Sequence, residues 1–242
     1  MVISSNALFH FMRKFETLKE TLQDLSFETN YCLEYDKGMI EEDRFYAIPM
    51  VCFCDIPLSL IGEHIKDYGH YALGMNKKWA GKKVSPILYY KDKKSLSKTI
   101  YDQMANRSNN KIDDKQCFLY FSLLKRYYGK TWSASMNKGQ GDYRNKVLYN
   151  EREWRFVPRK LKADDLVLKV KDYDDLVKQP KNSAVKNAKL NFTINDINFI
   201  IVDTDDDRLP LIKHINDKFG NTDETKILCS KILTIKQIKE NF

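Results

Sequence analysis

Two glutamates two residues apart, Glu151 and Glu153, stand in the run Tyr-Asn-Glu-Arg-Glu-Trp-Arg-Phe-Val-Pro at residues 149–158. Read as a strand, this run alternates its side chains, so Glu151, Glu153 and Arg155 share one face and Arg152, Trp154 and Phe156 the other. The two large aromatics mark their own face as the one toward the core. Paired carboxylates on a common face repel, which can raise the pKa of one of them. Such a pair suits acid–base work or the binding of sugar hydroxyls. The same pattern also fits a solvated face on which Arg155 serves only as a salt-bridge partner.

Other candidates are more isolated. His10 lies in a short apolar strand between Phe9 and Phe11, and alternation turns it away from those rings. A lone strand histidine fits a structural role as well as a chemical one. Cys52 and Cys54 have the spacing of half a metal site. No second pair accompanies them and His64 stands alone, so buried thiols are expected and no metal. Tyr68 and Tyr71 follow an amphipathic helix, where they either cover a flat ring or simply sit half-buried. The polar, glycine-containing loop at 131–142 reads as a plain connection or as a substrate lid.

The elements that position these residues follow from hydrophobic periodicity. Residues 7–12, 47–56, 70–75, 86–90, 146–157, 194–202 and 227–233 read as strands. Residues 13–25 form a helix with Phe15, Leu18, Leu22 and Leu25 in one stripe. A second opens near Pro57 and Ser59 and stops at Gly69, with Leu60, Ile61, His64, Ile65 and Tyr68 on one face. A short helical turn is expected at 77–80, and longer helices at 95–105, 114–128 and 209–219, with another short one at the C-terminus. The Lys/Asp/Asn-rich stretch 169–191 reads as an exposed insertion. Strands and helices mix without a βαβ rhythm, so the class is α+β, in one domain spanning residues 1–242.

Composition bounds the rest. The 242 residues are 43% hydrophobic and 12% aromatic, enough for a packed core, and the formal charge is +8. That excess suits a nucleic-acid partner, or else only keeps the protein soluble. Neither a signal-peptide pattern nor a span-length apolar run is present, so the chain is expected in the cytoplasm and away from membranes. Five unframed cysteines fit a reducing compartment.

The blocks Ala-Leu-Phe-His-Phe-Met at 7–12, Ala-Ile-Pro-Met-Val-Cys-Phe-Cys-Asp-Ile-Pro-Leu-Ser at 47–59, Tyr-Gly-His-Tyr-Ala-Leu-Gly-Met at 68–75, Lys-Trp-Ala at 78–80 and Glu-Arg-Glu-Trp-Arg-Phe-Val-Pro at 151–158 resemble the AbiGi family. These are bacterial abortive-infection, phage-resistance proteins that carry an antitoxin label. More distantly, the order of elements is similar to the mono-ADP-ribosyltransferase fold, including DarT-like toxins, with small packed sheets flanked by helices.

That second resemblance implies NAD as cofactor. It makes Glu153 the catalytic carboxylate with Glu151 as the alternative, His10 the ribose contact, and Tyr68 or Tyr71 the nicotinamide platform. Arg13 or Arg155 would hold the pyrophosphate. The implied reaction passes through an oxocarbenium-like state that a carboxylate stabilises. The acceptor would be nucleic acid, RNA ahead of DNA, with Trp132 and Tyr143 stacking on a base.

Three functions therefore stand open. The first is an NAD-dependent transferase toxin in phage defence. The second is a non-catalytic antitoxin or regulatory partner of a toxin. The third is a metal-dependent nuclease or RNA-binding protein using the two glutamates.

Overall fold

A computed structural model of the chain describes residues 5–36, 44–91, 99, 114–132, 143–161, 168–170 and 185–241. The chain divides into two compact units made of interleaved segments. One comprises Met1–Phe27, Phe53–Lys83 and Asn191–Phe242, the other Glu28–Cys52 and Val84–Leu190. The expected helix at 95–105, the loop at 131–142 and the insertion at 169–191 lie wholly or largely outside the described residues.

In the first unit, strand Ala7–Met12 runs antiparallel to Tyr71–Asn76, with His10 opposite Leu73. Tyr71–Asn76 pairs in turn with Ile197–Val202, and that strand pairs in parallel with Ile232–Thr234. These strands are apolar on both faces because both faces are covered. One face packs Phe9, Ile61, Ile65, Ile201, Ile235 and Ile238 into a common core. Helix Phe15–Asp24 buries Leu18, Thr21 and Leu22, the i, i+3, i+4 spacing of a single stripe. It ends where Leu25 turns left-handed at φ 48°, its N–H returning to the carbonyls of Thr21 and Leu22.

Helix Gly62–Tyr68 stops at Gly69, whose φ of 115° is open mainly to glycine. A Cβ at Gly69 would lie 2.3 Å from the Met12 carbonyl oxygen. The expected strand at 227–233 is mostly helix instead: Asp223–Ser230 is helical and only Ile232–Thr234 is extended. Local chemistry decides it, since the Thr222 side chain accepts from the Thr225 N–H while Asp223 and Glu224 occupy the positive first turn.

The long strand Arg44–Cys54, which belongs to the second unit as far as Cys52, carries Asn30–Asp36 on one edge, with Leu33 opposite Ala47. Leu168–Val170 also pairs with it antiparallel, Leu168 opposite Ala47. Tyr46, Ile48, Met50 and Phe121 form one core cluster, and Tyr31, Ala47, Leu161 and Val185 another. Two expectations fail here. The helix expected at 114–128 ends at Ser122, after which Leu124–Arg126 pairs in parallel with Leu88–Tyr90. The apolar spacing was helical, but pairing with another strand and the pull of buried acids on Lys125 override it.

The strand expected at 146–157 is likewise broken. Tyr143–Val147 pairs with Tyr128–Trp132, a 3₁₀ turn follows at Leu148–Glu151, Arg152 turns left-handed at φ 44°, and Glu153–Phe156 resumes as a strand. The α+β class stands.

Candidate functional site

The strand Glu153–Phe156 presents a face opposite to the one its aromatics suggest. Glu153 and Arg155 are buried, whereas Trp154 and Phe156 are only half-buried. Arg155, at 1% exposure, is among the largest fully buried side chains. A buried guanidinium is tolerated only when its donors are met by acceptors and its charge is balanced. Both conditions hold.

Arg155 Nε donates to Glu153 Oε1 at 2.7 Å, and Nη1 donates to the Ser122 carbonyl at 2.8 Å. Its Nη2 donates to Glu34 Oε1 at 2.5 Å and to Glu153 Oε2 at 3.2 Å. Lys125 Nζ lies 2.7 Å from Glu153 Oε2, 2.8 Å from Glu151 Oε2 and 3.8 Å from Glu34 Oε1. Lys146 Nζ completes the array at 2.6 Å from Glu151 Oε1. Three carboxylates thus meet three cations. Tyr89 fixes the backbone beside them, its hydroxyl accepting from the Glu153 N–H at 3.0 Å.

These surroundings set the protonation states. Burial pushes the Glu151 carboxyl up, but Lys125 and Lys146 outweigh it and bring it down to about 2. For Glu153 burial is likewise opposed by Arg155 and Lys125, and the carboxyl falls well below the ordinary range. Arg155 is driven the other way: burial disfavours its charge, yet Glu153 and Glu34 raise its pKa well above the usual value. The expectation that repulsion raises one of the paired glutamates is therefore corrected. Both are lowered, because the cations beside each outweigh burial and the repulsion between them. The carboxyl that rises is Glu34, where burial outweighs Arg155 and Lys125 and the other two acids add to it.

Chemically, Glu151 and Glu153 are fixed anions. Both oxygens of each accept charged hydrogen bonds, and acids held this low are poor proton acceptors near neutral pH. The array suits holding four segments of chain together in one geometry.

The remaining sequence candidates are placed as follows. Glu151, Glu153 and Arg155 belong to the second unit, and His10, Arg13, Tyr68 and Tyr71 to the first. The His10 ring is half-buried among aromatics, 4.9 Å from Phe27 and 5.6 Å from Phe53 by centroid. Phe27, Phe53, Trp79 and Phe192 extend this cluster. Arg13 donates from Nη2 to the Asp67 carbonyl at 2.8 Å. The Tyr68 ring lies 5.7 Å from His64, and the Tyr71 hydroxyl donates to Asp207 at 3.4 Å while its ring lies 5.6 Å from Phe15. Burial and Asp207 push the Tyr71 phenol up.

Trp132 and Tyr143 are register partners on the two-stranded ribbon. Burial also raises Cys52, after the larger effect of its hydrogen bond with Cys32. Among the described residues no group of three or more His, Cys, Asp or Glu is placed to hold a metal ion. No helix among them is long and apolar enough to cross a membrane.

Glu34, Lys125 and Lys146 were not legible in the sequence. Glu34 lies more than a hundred residues from Glu153, and Lys125 sat within a stretch whose periodicity was helical.

A mixed α+β chain with a neutralised buried ion array and sequence blocks at 47–59 and 151–158 defines a class that comparison with known proteins specifies further. A family model described as "Putative abortive phage resistance protein AbiGi, antitoxin" matches residues 25–203. The chain belongs to this AbiGi family. It is 27% identical over 226 residues to an abortive phage resistance protein AbiGi of Lactococcus lactis subsp. cremoris, covering 81% of this chain and 90% of the relative. No solved structure matches the chain, and neither of these matches is to a DarT-like protein.

Proposed function

We propose that this chain is the non-catalytic, antitoxin-type member of an abortive-infection pair, acting by binding a toxin partner. The observation that carries this reading is the state of Glu153, whose carboxylate is buried and closed off by Arg155 and Lys125. An acid so engaged keeps a fold together; it does not grip a ribose hydroxyl. The antitoxin wording of the matching family supports the same reading.

The test is expression in a bacterial host. Produced alone, the protein is expected to be harmless; produced beside a growth-arresting protein from its own host that it binds, it is expected to restore growth. Rescue is expected to disappear when the array is broken by Arg155→Met. Growth arrest by the chain alone, relieved by Glu153→Gln, would instead support the NAD-dependent mono-ADP-ribosyltransferase expected from the sequence. That second activity requires Glu153 to leave Arg155 and Lys125 for the substrate.

A further inference from the structure

Between Phe121 and Gly129 the sequence carries a helical pattern. Phe121, Leu124, Lys125 and Tyr128 fall at the i, i+3, i+4 and i+7 positions of one stripe, and residues 123–126 are Leu, Leu, Lys and Arg, all good helix formers. Gly129 stands where a helix running through Tyr127 would place its terminating glycine. Tyr127 and Tyr128 suit a strand better, so the segment holds both preferences.

The structure takes the second form. Helix Asp114–Ser122 closes with the Leu123 N–H on the Tyr120 carbonyl, and Leu124–Arg126 is extended. Backbone groups that the next helical turn would use are engaged elsewhere. The Leu123 carbonyl, helical acceptor for the Tyr127 N–H, takes the Leu88 N–H at 2.8 Å, while the Tyr127 N–H goes to the Tyr90 carbonyl at 2.7 Å. The Ser122 carbonyl, helical acceptor for the Arg126 N–H, takes Arg155 Nη1 at 2.8 Å. Lys125 Nζ is held at 2.7 Å by Glu153 and at 2.8 Å by Glu151.

Apart from these holds the strand form is slight. Leu124–Arg126 and Leu88–Tyr90 make a two-stranded parallel sheet, a marginal arrangement. The residues of Leu124–Arg126 are half-buried, and Leu88 and Tyr127 are 50% and 41% exposed, so exchanging the pairing for helix disturbs little core.

We infer that Leu123–Tyr127 is a two-state segment, latched as strand by Lys125 and by the pairing with Leu88–Tyr90, which continues helix Asp114–Ser122 once the latch is released. The exchange keeps its hydrogen bonds: the Tyr127 N–H gains the Leu123 carbonyl, and the Ser122 carbonyl has a second lone pair for the Arg126 N–H. It also parts the Tyr127 and Tyr149 rings, whose centroids lie 5.5 Å apart in the strand form, so the latch sets which surface the second unit presents there.

Backbone Cα chemical shifts of Leu123, Leu124, Arg126 and Tyr127 in the full chain test this, because helix and strand displace them to opposite sides of the random-coil value. In the unsubstituted chain Leu124 and Arg126 are expected on the strand side. Lys125→Met removes the ammonium and completes the apolar stripe; it is expected to move all four to the helix side while resonances of the first unit keep their positions. Leu88→Pro deletes the N–H that reaches Leu123 and touches no member of the ion array. It is expected to move the four shifts the same way, and it decides the matter should Lys125→Met fail to fold. Helix-side shifts in the unsubstituted chain overturn the latch. Shifts that stay on the strand side in both variants, or fall to random-coil values in a chain otherwise folded, overturn the second state.

Discussion

Glu153 and Arg155, two residues apart on one strand, close on each other inside the protein through contacts of 2.7 and 3.2 Å, and Lys125 takes up the remaining side of the carboxylate at 2.7 Å. Neighbouring same-face side chains of opposite charge seldom face inward together. Here they do because Glu34, Lys125 and the Ser122 carbonyl arrive from elsewhere in the chain to complete the charge and hydrogen-bond balance.

Removing one member of such an array is expected to be more damaging than removing a surface pair. Arg155→Met leaves Glu153 and Glu34 with Lys125 as their one remaining shared cation and the Ser122 carbonyl without its donor. Denaturant unfolding should show a loss of about 3–5 kcal/mol. Arg155→Lys should recover only part of it, since one ammonium cannot reach Glu153, Glu34 and the Ser122 carbonyl with Arg155's planar geometry. A loss under about 1 kcal/mol, the value of an exposed pair, would contradict the buried array.

Acid should weaken the fold in a defined window. Glu151 and Glu153 have folded-state pKa values below the ordinary 4.5, so their contribution is complete above 4.5 and is lost as pH falls toward about 2. Glu34, raised by burial, works in the opposite sense and offsets part of the loss. Urea midpoints measured between pH 7 and pH 2 should therefore fall below pH 4.5. Glu151→Gln should flatten that slope, and an unchanged slope in this variant would remove the basis for the assigned protonation states.

Backbone geometry yields a sharper contrast. Gly69→Ala forces a left-handed φ and drives a Cβ against the Met12 carbonyl, so about 2 kcal/mol or more should be lost. Gly62→Ala meets nothing within 4 Å at the start of its helix and should be neutral or stabilising by up to about 1 kcal/mol. Thermal melts of the two variants side by side decide it.

Much of the first unit could be read directly from residue order. The strand at 7–12, the turn of helix at 77–80 and the stop at Gly69 are local matters of periodicity and a single permissive residue. The site was legible only in part. Glu151, Glu153 and Arg155 do converge, but the aromatics at 154 and 156 pointed to the wrong face. Alternation reports which residues share a side, and the inward side was decided by Glu34, Lys125 and Lys146, which local pattern does not connect to it. The helix expected through Tyr128 failed for a related reason: Leu124–Arg126 answers to Leu88–Tyr90, a partner thirty-odd residues away.

The non-catalytic role is tested most directly by incubating the purified chain with NAD labelled on the nicotinamide ring and measuring released nicotinamide, alone and with bacterial RNA. Release at the level of buffer is expected, unchanged in Glu153→Gln. Release well above buffer that Glu153→Gln abolishes, in a variant that still melts cooperatively, would contradict it and give the carboxylate a catalytic role.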